Sequence, residues 1–155
     1  MTGGPDFMIL STVDDNGIVR TTSYSWPTWG WVEIDGGRDW VRIGGVFPPA
    51  RPLAALSRMF PFTGYFDLFV TGNNGVVYTS ETRGGETNWN RDDTNTWQAI
   101  GGVFPPGAPL AAVARYSNHM DLFVTGHDGV VYTSWWHEGG DWSGIHNTWR
   151  ALAPP

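Results

Sequence analysis

The chain of 155 residues carries a formal net charge of −6, all nine of its cations are arginines, and it has no cysteine. The missing cysteines exclude disulfides and thiolate metal sites, the lack of a basic run argues against nucleic-acid binding, and no stretch nears the roughly 20 apolar residues of a membrane span. No basic region followed by an apolar run opens the sequence, so a soluble protein is expected, one that if secreted would lack a recognisable signal peptide. Ten tryptophans and 21 glycines beside only 15% charged residues suit short twisted strands, tight turns and large flat side chains.

In chain order, residues 6–10 (DFMIL) read as a strand and residues 14–22 (DDNGIVRTT) as a hairpin turn running into the next strand, with Trp40 closing the unit. On that register the first unit is degenerate, with no room for an opening strand; a compressed complete unit, with strands near 7–12, 18–24, 30–35 and 39–43, is the alternative. The second unit opens with PLAA at 52–55, continues through DLFVTG, turns at NNG (73–75), and reaches Trp97 after VVYTS and a polar loop. The third repeats the plan: PLAAVAR (109–115), MDLFVTG (120–126), a turn at HDG (127–129), VVYTSWW (130–136), and NTWRAL (147–152) carrying Trp149. Identity between copies is high. IGGVFPP occurs at 43–49 and 100–106, and DLFVTGNNGVVYTS at 67–80 returns as DLFVTGHDGVVYTS at 121–134. Three units of approximately 1–47, 48–104 and 105–155 follow. Four short antiparallel strands in about 50 residues is the content of a propeller blade. The fold class expected is therefore all-β: β-propeller blades, two full units plus a degenerate first one. The best helical candidate, PLAALSRMF, is cut short by proline.

Trp40, Gly44, Gly45, Asp67, Phe69, Val70, Gly72 and Tyr78, and then Trp97, Gly101, Gly102, Asp121, Phe123, Val124, Gly126, Asp128, Tyr132, Trp135 and Trp136, stand in an order and spacing that resembles the repeat of bacterial β-propeller lectins of the fucose-binding, PLL-like type. The match runs from near Phe7 to Trp149. It implies a propeller whose sugar sites lie in clefts between adjacent blades, with fucosylated or related glycans as partners. Thr79 and Thr133 stand where that family often has histidine, and Glu81-Thr82 replaces the pair Trp135-Trp136. Family rings have six or seven blades, and three cannot close, since propellers typically need four to eight. A homo-oligomer is expected, a dimer being favoured because two chains would give six blades; the alternative is a fragment of a longer propeller.

A sugar site needs an aromatic face for the C–H patch of the ring and polar groups for its hydroxyls. The stretch TSWWHEGGDWSG (133–144) supplies Trp135, Trp136 and Trp142 for stacking and His137, Glu138 and Asp141 for hydrogen bonds. Side chains alternate along a strand, so Trp135 and Trp136 must face opposite ways, and each also reads as inter-blade packing. The middle loop offers Glu81, Arg83, Glu86 and Trp89, and the first offers Trp26, Trp29, Trp31 and Glu33. Trp40, Trp97 and Trp149 recur beside the closing strand as packing residues, and Asp67 and Asp121 are expected to hold a turn or a backbone amide. No Gly-x-Ser-x-Gly elbow, separated acid pair, metal-spaced histidines or calcium loop is present. The sequence thus points to a multivalent, non-enzymatic lectin needing no cofactor or metal, with a non-catalytic propeller scaffold for protein contacts as the alternative.

Overall fold

The computed structural model describes residues 7–25, 30–31, 40–59, 64–83, 97–144 and 148–152, and all the regular structure among them is β. The middle sheet holds β5 (Ala54–Met59), β6 (Gly64–Thr71), β7 (Val77–Arg83) and β8 (Gln98–Gly101) in that spatial order. The last sheet repeats it with β9 (Leu110–Tyr116), β10 (His119–Thr125), β11 (Val131–His137) and β12 (Arg150–Ala151). All pairings are antiparallel.

The first sheet departs from this plan. Its strands are β1 (Phe7–Val13), β2 (Val19–Ser25), β3 (Gly30–Trp31) and β4 (Val41–Gly44). The hairpin pairs Val13 with Val19, the same place that Thr71↔Val77 and Thr125↔Val131 hold in the other sheets. β1 therefore occupies the position of the DLFVT strand, and among the described residues nothing stands beside it as β5 and β9 stand beside β6 and β10. The compressed reading placed its strands close to those found, but not their pairing. β3 and β4 both lie on β2, at Tyr24–Ser25 and at Val19–Thr21 respectively, so the sheet is three strands wide.

The equivalent hairpins β1–β2, β6–β7 and β10–β11 are each closed by a glycine in the left-handed region, Gly17, Gly75 and Gly129 with φ near 77°, 76° and 76°, a conformation that only glycine adopts freely. The first two also join sheet to sheet. The Phe47 amide donates to the Gly17 carbonyl at 2.8 Å and the Phe104 amide to the Gly75 carbonyl at 3.0 Å. Phe47 then drives its ring edge-on against Trp97 and Tyr78 of the following sheet, at 4.8 and 5.8 Å between centroids. Phe104 does the same to Trp149 and Tyr132, at 4.9 and 5.8 Å. The duplicated IGGVFPP segment is thus a latch, anchored in one sheet by its backbone and in the next by its aromatic ring.

Two cores follow from strand alternation. Leu68 and Val70 of β6 face the first sheet and pack with Val13, Val19, Ile43, Phe47 and Trp97. Phe69, between them in sequence, faces the last sheet and packs with Val77, Ile100, Leu122, Val124 and Trp142. Among the described residues the middle sheet is covered on both faces, whereas the first and last have one open face each.

Candidate functional site

The face of the middle sheet that meets the last sheet is apolar at one end and charged at the other. On β5, Ala54 and Leu56 enter the core, and the same alternation aims Arg58 their way; on β6 and β7, Asp67 and Glu81 share their faces with Phe69 and Val77. Arg58 Nε and Nη2 donate to the two carboxylate oxygens of Asp67 at 2.7 and 2.8 Å, and Nη2 also reaches Glu81 at 3.2 Å. The guanidinium carbon lies 4.8 Å from the ring centroids of both Tyr65 and Trp136, so the cation is held between two aromatic faces.

The facing wall comes from β10 and β11, through Met120 and Trp136, and from the turn after β11. That turn folds back because the Ser143 amide donates to the Trp135 carbonyl (2.9 Å), Ser143 Oγ accepts from the Trp135 amide (3.0 Å), and Ser134 Oγ accepts from the Gly144 amide (2.9 Å). Asp141 and Trp142 are thereby set at the cleft, opposite Thr79, Ser80, Glu81 and Gln98. The concavity measures about 190 Å3, enough for a monosaccharide-sized group to enter in part.

Arg58 and Asp67 are almost wholly buried, with side chains 3% and 2% exposed, while Glu81 remains 41% exposed at the rim. Burial pushes the Asp67 carboxyl above its ordinary value, against the pull of the Arg58 hydrogen bonds and charge. Among the described residues, three carboxylates, Asp67, Glu81 and Asp141, line the cleft with a single guanidinium. Such a site suits a neutral, hydroxyl-rich ligand and repels an anion.

Trp136, Asp141 and Trp142, candidates from the sequence, are brought together here. Trp142 is only 5% exposed and packs edge-on against Phe69 at 5.5 Å, so it builds the floor rather than an open stacking face. Trp135 lies on the opposite face of β11, where it lines a second concavity with Arg115, His119, Asp121, Thr133 and Arg150. His137, the last residue of β11, and Glu138 just after it are exposed and line neither concavity. Arg83 and Trp31 end β7 and β3, and Glu86, Trp89, Trp26 and Trp29 lie outside the described residues. Asp67 and Asp121 hold arginines rather than turns, since Arg115 repeats the bidentate pairing on Asp121 at 2.6 and 3.1 Å. Arg58 itself was missed, although Arg58 and Arg115 recur three residues after their PLAA copies. Among the described residues no group of His, Asp and Glu could hold a metal ion, and no helix is long and apolar enough to cross a membrane.

Three twisted four-strand arrays stacked face to face around repeat-equivalent aromatic latches define a segment of a β-propeller. No family model and no curated protein matches the sequence. Solved structures do. The BP39L lectin of Burkholderia pseudomallei is 24% identical, with a TM-score of 0.72 over 95% of this chain and 38% of that one. A variant of the Aleuria aurantia lectin, solved with Fucα1-6GlcNAc, is 12% identical, with a TM-score of 0.50 over 97% of this chain and 47% of that one. The chain spans less than half the length of either, and what it shares with them is the propeller fold of lectins.

Proposed function

We propose that the chain is a carbohydrate-binding lectin and that the cleft between its middle and last sheets takes a monosaccharide unit, fucose or a related neutral sugar. The observation that carries the reading is the Arg58–Asp67–Glu81 array set against Trp136. A guanidinium already fixed by two carboxylates presents its remaining N–H groups without a further ordering cost, Glu81, Gln98 and Asp141 offer hydrogen-bond partners to hydroxyls, and Trp136 supplies apolar surface. The Fucα1-6GlcNAc bound by the Aleuria lectin and the repeat's resemblance to fucose-binding propellers favour a deoxy sugar, whose methyl group would suit the aromatic side. Trp26, Trp29, Trp31, Arg83, Glu86 and Trp89 remain candidates for an equivalent position at the other junction.

We further infer that a second copy covers the open faces and closes a six-bladed ring. Positions that are sealed in the middle sheet are bare in the last one: Val77 and Ile100 are 0% exposed, their counterparts Val131 and Leu152 are both 39% exposed, and Met8 and Leu10 of the first sheet stand open at 54% and 47%. Avidity would then raise weak single-site binding on a glycan-bearing surface.

Glycan-array binding with the native mass measured on the same sample tests both parts. A coherent set of fucosylated or related glycans bound by a particle of twice the chain mass is the expected result. A correctly assembled ring that binds no glycan would overturn the lectin in favour of a scaffold, and a monomeric mass would overturn the ring.

A further inference from the structure

The second concavity, on the open face of the last sheet, is the repeat counterpart of the cleft just described. Strand register makes the correspondence along β10, β11 and β12; for Arg115, left without a Cα partner by a bulge in the β9–β10 pairing, it is made by the sequence copies ending in Arg58 and Arg115 and by the same bidentate pairing on aspartate. Arg115 stands for Arg58, Asp121 for Asp67, Thr133 for Thr79 and Trp135 for Glu81. Arg150 stands for Gln98, since β12 pairs Arg150 with Thr133 as β8 pairs Gln98 with Thr79. Two of these exchanges change charge. A carboxylate has become tryptophan and an amide has become arginine, so the same surface passes from one cation with two carboxylates to two cations with one carboxylate.

The cations are also placed to be used. The Arg115 side chain is 56% exposed, where that of Arg58 is 3% exposed. Its Nε and Nη2 are taken up by Asp121 and by His119, leaving Nη1 without a partner among the described residues. Arg150 is exposed, and no ion pair holds it among the described residues. Trp135, at 36% exposure, stands beside them, and the concavity is about 390 Å3. The only carboxylate there among the described residues, Asp121, is spent on Arg115.

The facing wall is supplied by the first sheet of a second copy in the ring proposed above. Met8↔Tyr24 in the first sheet occupies the register of Met120↔Trp136 in the last, so Tyr24 falls where Trp136 closes the acidic cleft. Arg115, Arg150 and Trp135 share one sheet, so the cationic wall exists whatever stands opposite.

We infer that this second position takes an anionic saccharide, one bearing a carboxylate or a sulfate, which Arg150 and Arg115 engage while the sugar ring lies against Trp135. The inference rests on the lectin reading but concerns a different sheet face from the neutral-sugar cleft. Arginine forks match both oxyanions. The chain's overall charge of −6 acts against an anion at long range, but at physiological ionic strength that opposition is screened beyond about 8 Å, leaving the local pair of cations to decide. The protein would carry two chemically distinct sugar sites from one duplicated blade.

Calorimetric titration of the whole protein with four probes tests this: methyl α-fucoside, lactose, 3′-sialyllactose and lactose 3′-sulfate. Arg150→Gln, which installs the middle sheet's own residue at an exposed position, is titrated beside the parent. The two anionic probes are expected to bind where lactose does not, to weaken as salt is raised, and to lose about 10- to 100-fold in affinity on Arg150→Gln, with methyl α-fucoside unaffected. Preference between the sialylated and sulfated probes assigns the source of the charge. Fucoside binding with no response to either anionic probe, or anionic binding that survives Arg150→Gln and Arg150→Glu unchanged, overturns this inference alone. Silence toward all four overturns the lectin reading and this inference with it.

Discussion

Arg58 and Asp67 form the most heavily desolvated polar pair among the described residues, and their value differs from that of their rim neighbour Glu81. Replacing either member of the pair leaves a buried charge unmatched, which typically costs about 3–5 kcal/mol, so Asp67→Ala is expected to lower the unfolding free energy by that order in denaturant titrations. Glu81→Gln touches a side chain 41% exposed; its stability cost should stay below about 1 kcal/mol while affinity for a neutral sugar falls, a split between melting and binding curves that a merely structural Glu81 would not produce. The hairpin carboxylates give a pH prediction. Asp128 accepts from the Val130 amide (3.0 Å) and the Tyr132 hydroxyl (2.8 Å), which hold its pKa below the ordinary 3.8; Asp14, bonded to Arg20 and the Ile18 amide, is lowered likewise. A depressed carboxylate contributes stability that is present above 3.8 and lost as pH falls through the folded-state value. Thermal melts should therefore fall on the acid side of 3.8, and Asp128→Asn should flatten that limb, because Asn74 makes the same turn in the middle sheet with its amide on the Val76 N–H and Tyr78 hydroxyl. Strand alternation made the opposed directions of Trp135 and Trp136 legible beforehand. Trp142 was not separable from them, since its burial depends on Ser143 folding the turn back onto β11, and Arg58 was not recognisable because its partner stands nine residues away on the neighbouring strand.

Between sheets, the latches decide how the elements stay together. Phe104 is 4% exposed and touches both Tyr132 and Trp149, so Phe104→Ala should cost about 3–5 kcal/mol and loosen the last sheet from the middle one. Sugar binding in the cleft should weaken with it, because both walls must keep their spacing, and intrinsic tryptophan emission should report Trp149 becoming wet. Gly102 gives a companion test. With φ of 91° and the Phe104 ring 2.2 Å from where a Cβ would stand, Gly102→Ala combines backbone strain of about 1–3 kcal/mol with displacement of that ring. The identical IGGVFPP copies announced that the segment matters, and the hairpins were readable from DLFVTG and the glycine turns. What the segment does was not readable: a backbone bond from Phe47 to Gly17 and from Phe104 to Gly75 joins residues about 30 apart, and only the stacked arrangement shows it. The first sheet resisted for a similar reason, since β4, the copy of β8, shares the edge of β2 with the two-residue β3, and β3 has no sequence copy to reveal its partner.

At the scale of the whole molecule the repeat supplies its own control for assembly. Val77 and Val131 are the same residue in the same register of successive sheets, one 0% and the other 39% exposed, and the difference is the presence of a following sheet. Val77→Asp would place an unpaired carboxylate inside the core, a burial that costs several kcal/mol or more, and should unfold the chain. Val131→Asp leaves the fold of a single copy close to its parent stability, within about 0.5 kcal/mol as for most surface changes, but sets a charge where a second copy's first sheet would seat. Circular dichroism should then show native β structure, and the native mass should drop from twice the chain mass to once. Binding should divide in the same way. The acidic cleft has both walls in one chain, so methyl α-fucoside should still bind in solution, while retention on a fucosylated surface falls with the loss of linked sites. If Val131→Asp keeps the doubled mass, the copies meet elsewhere and the open face of the last sheet has another occupant.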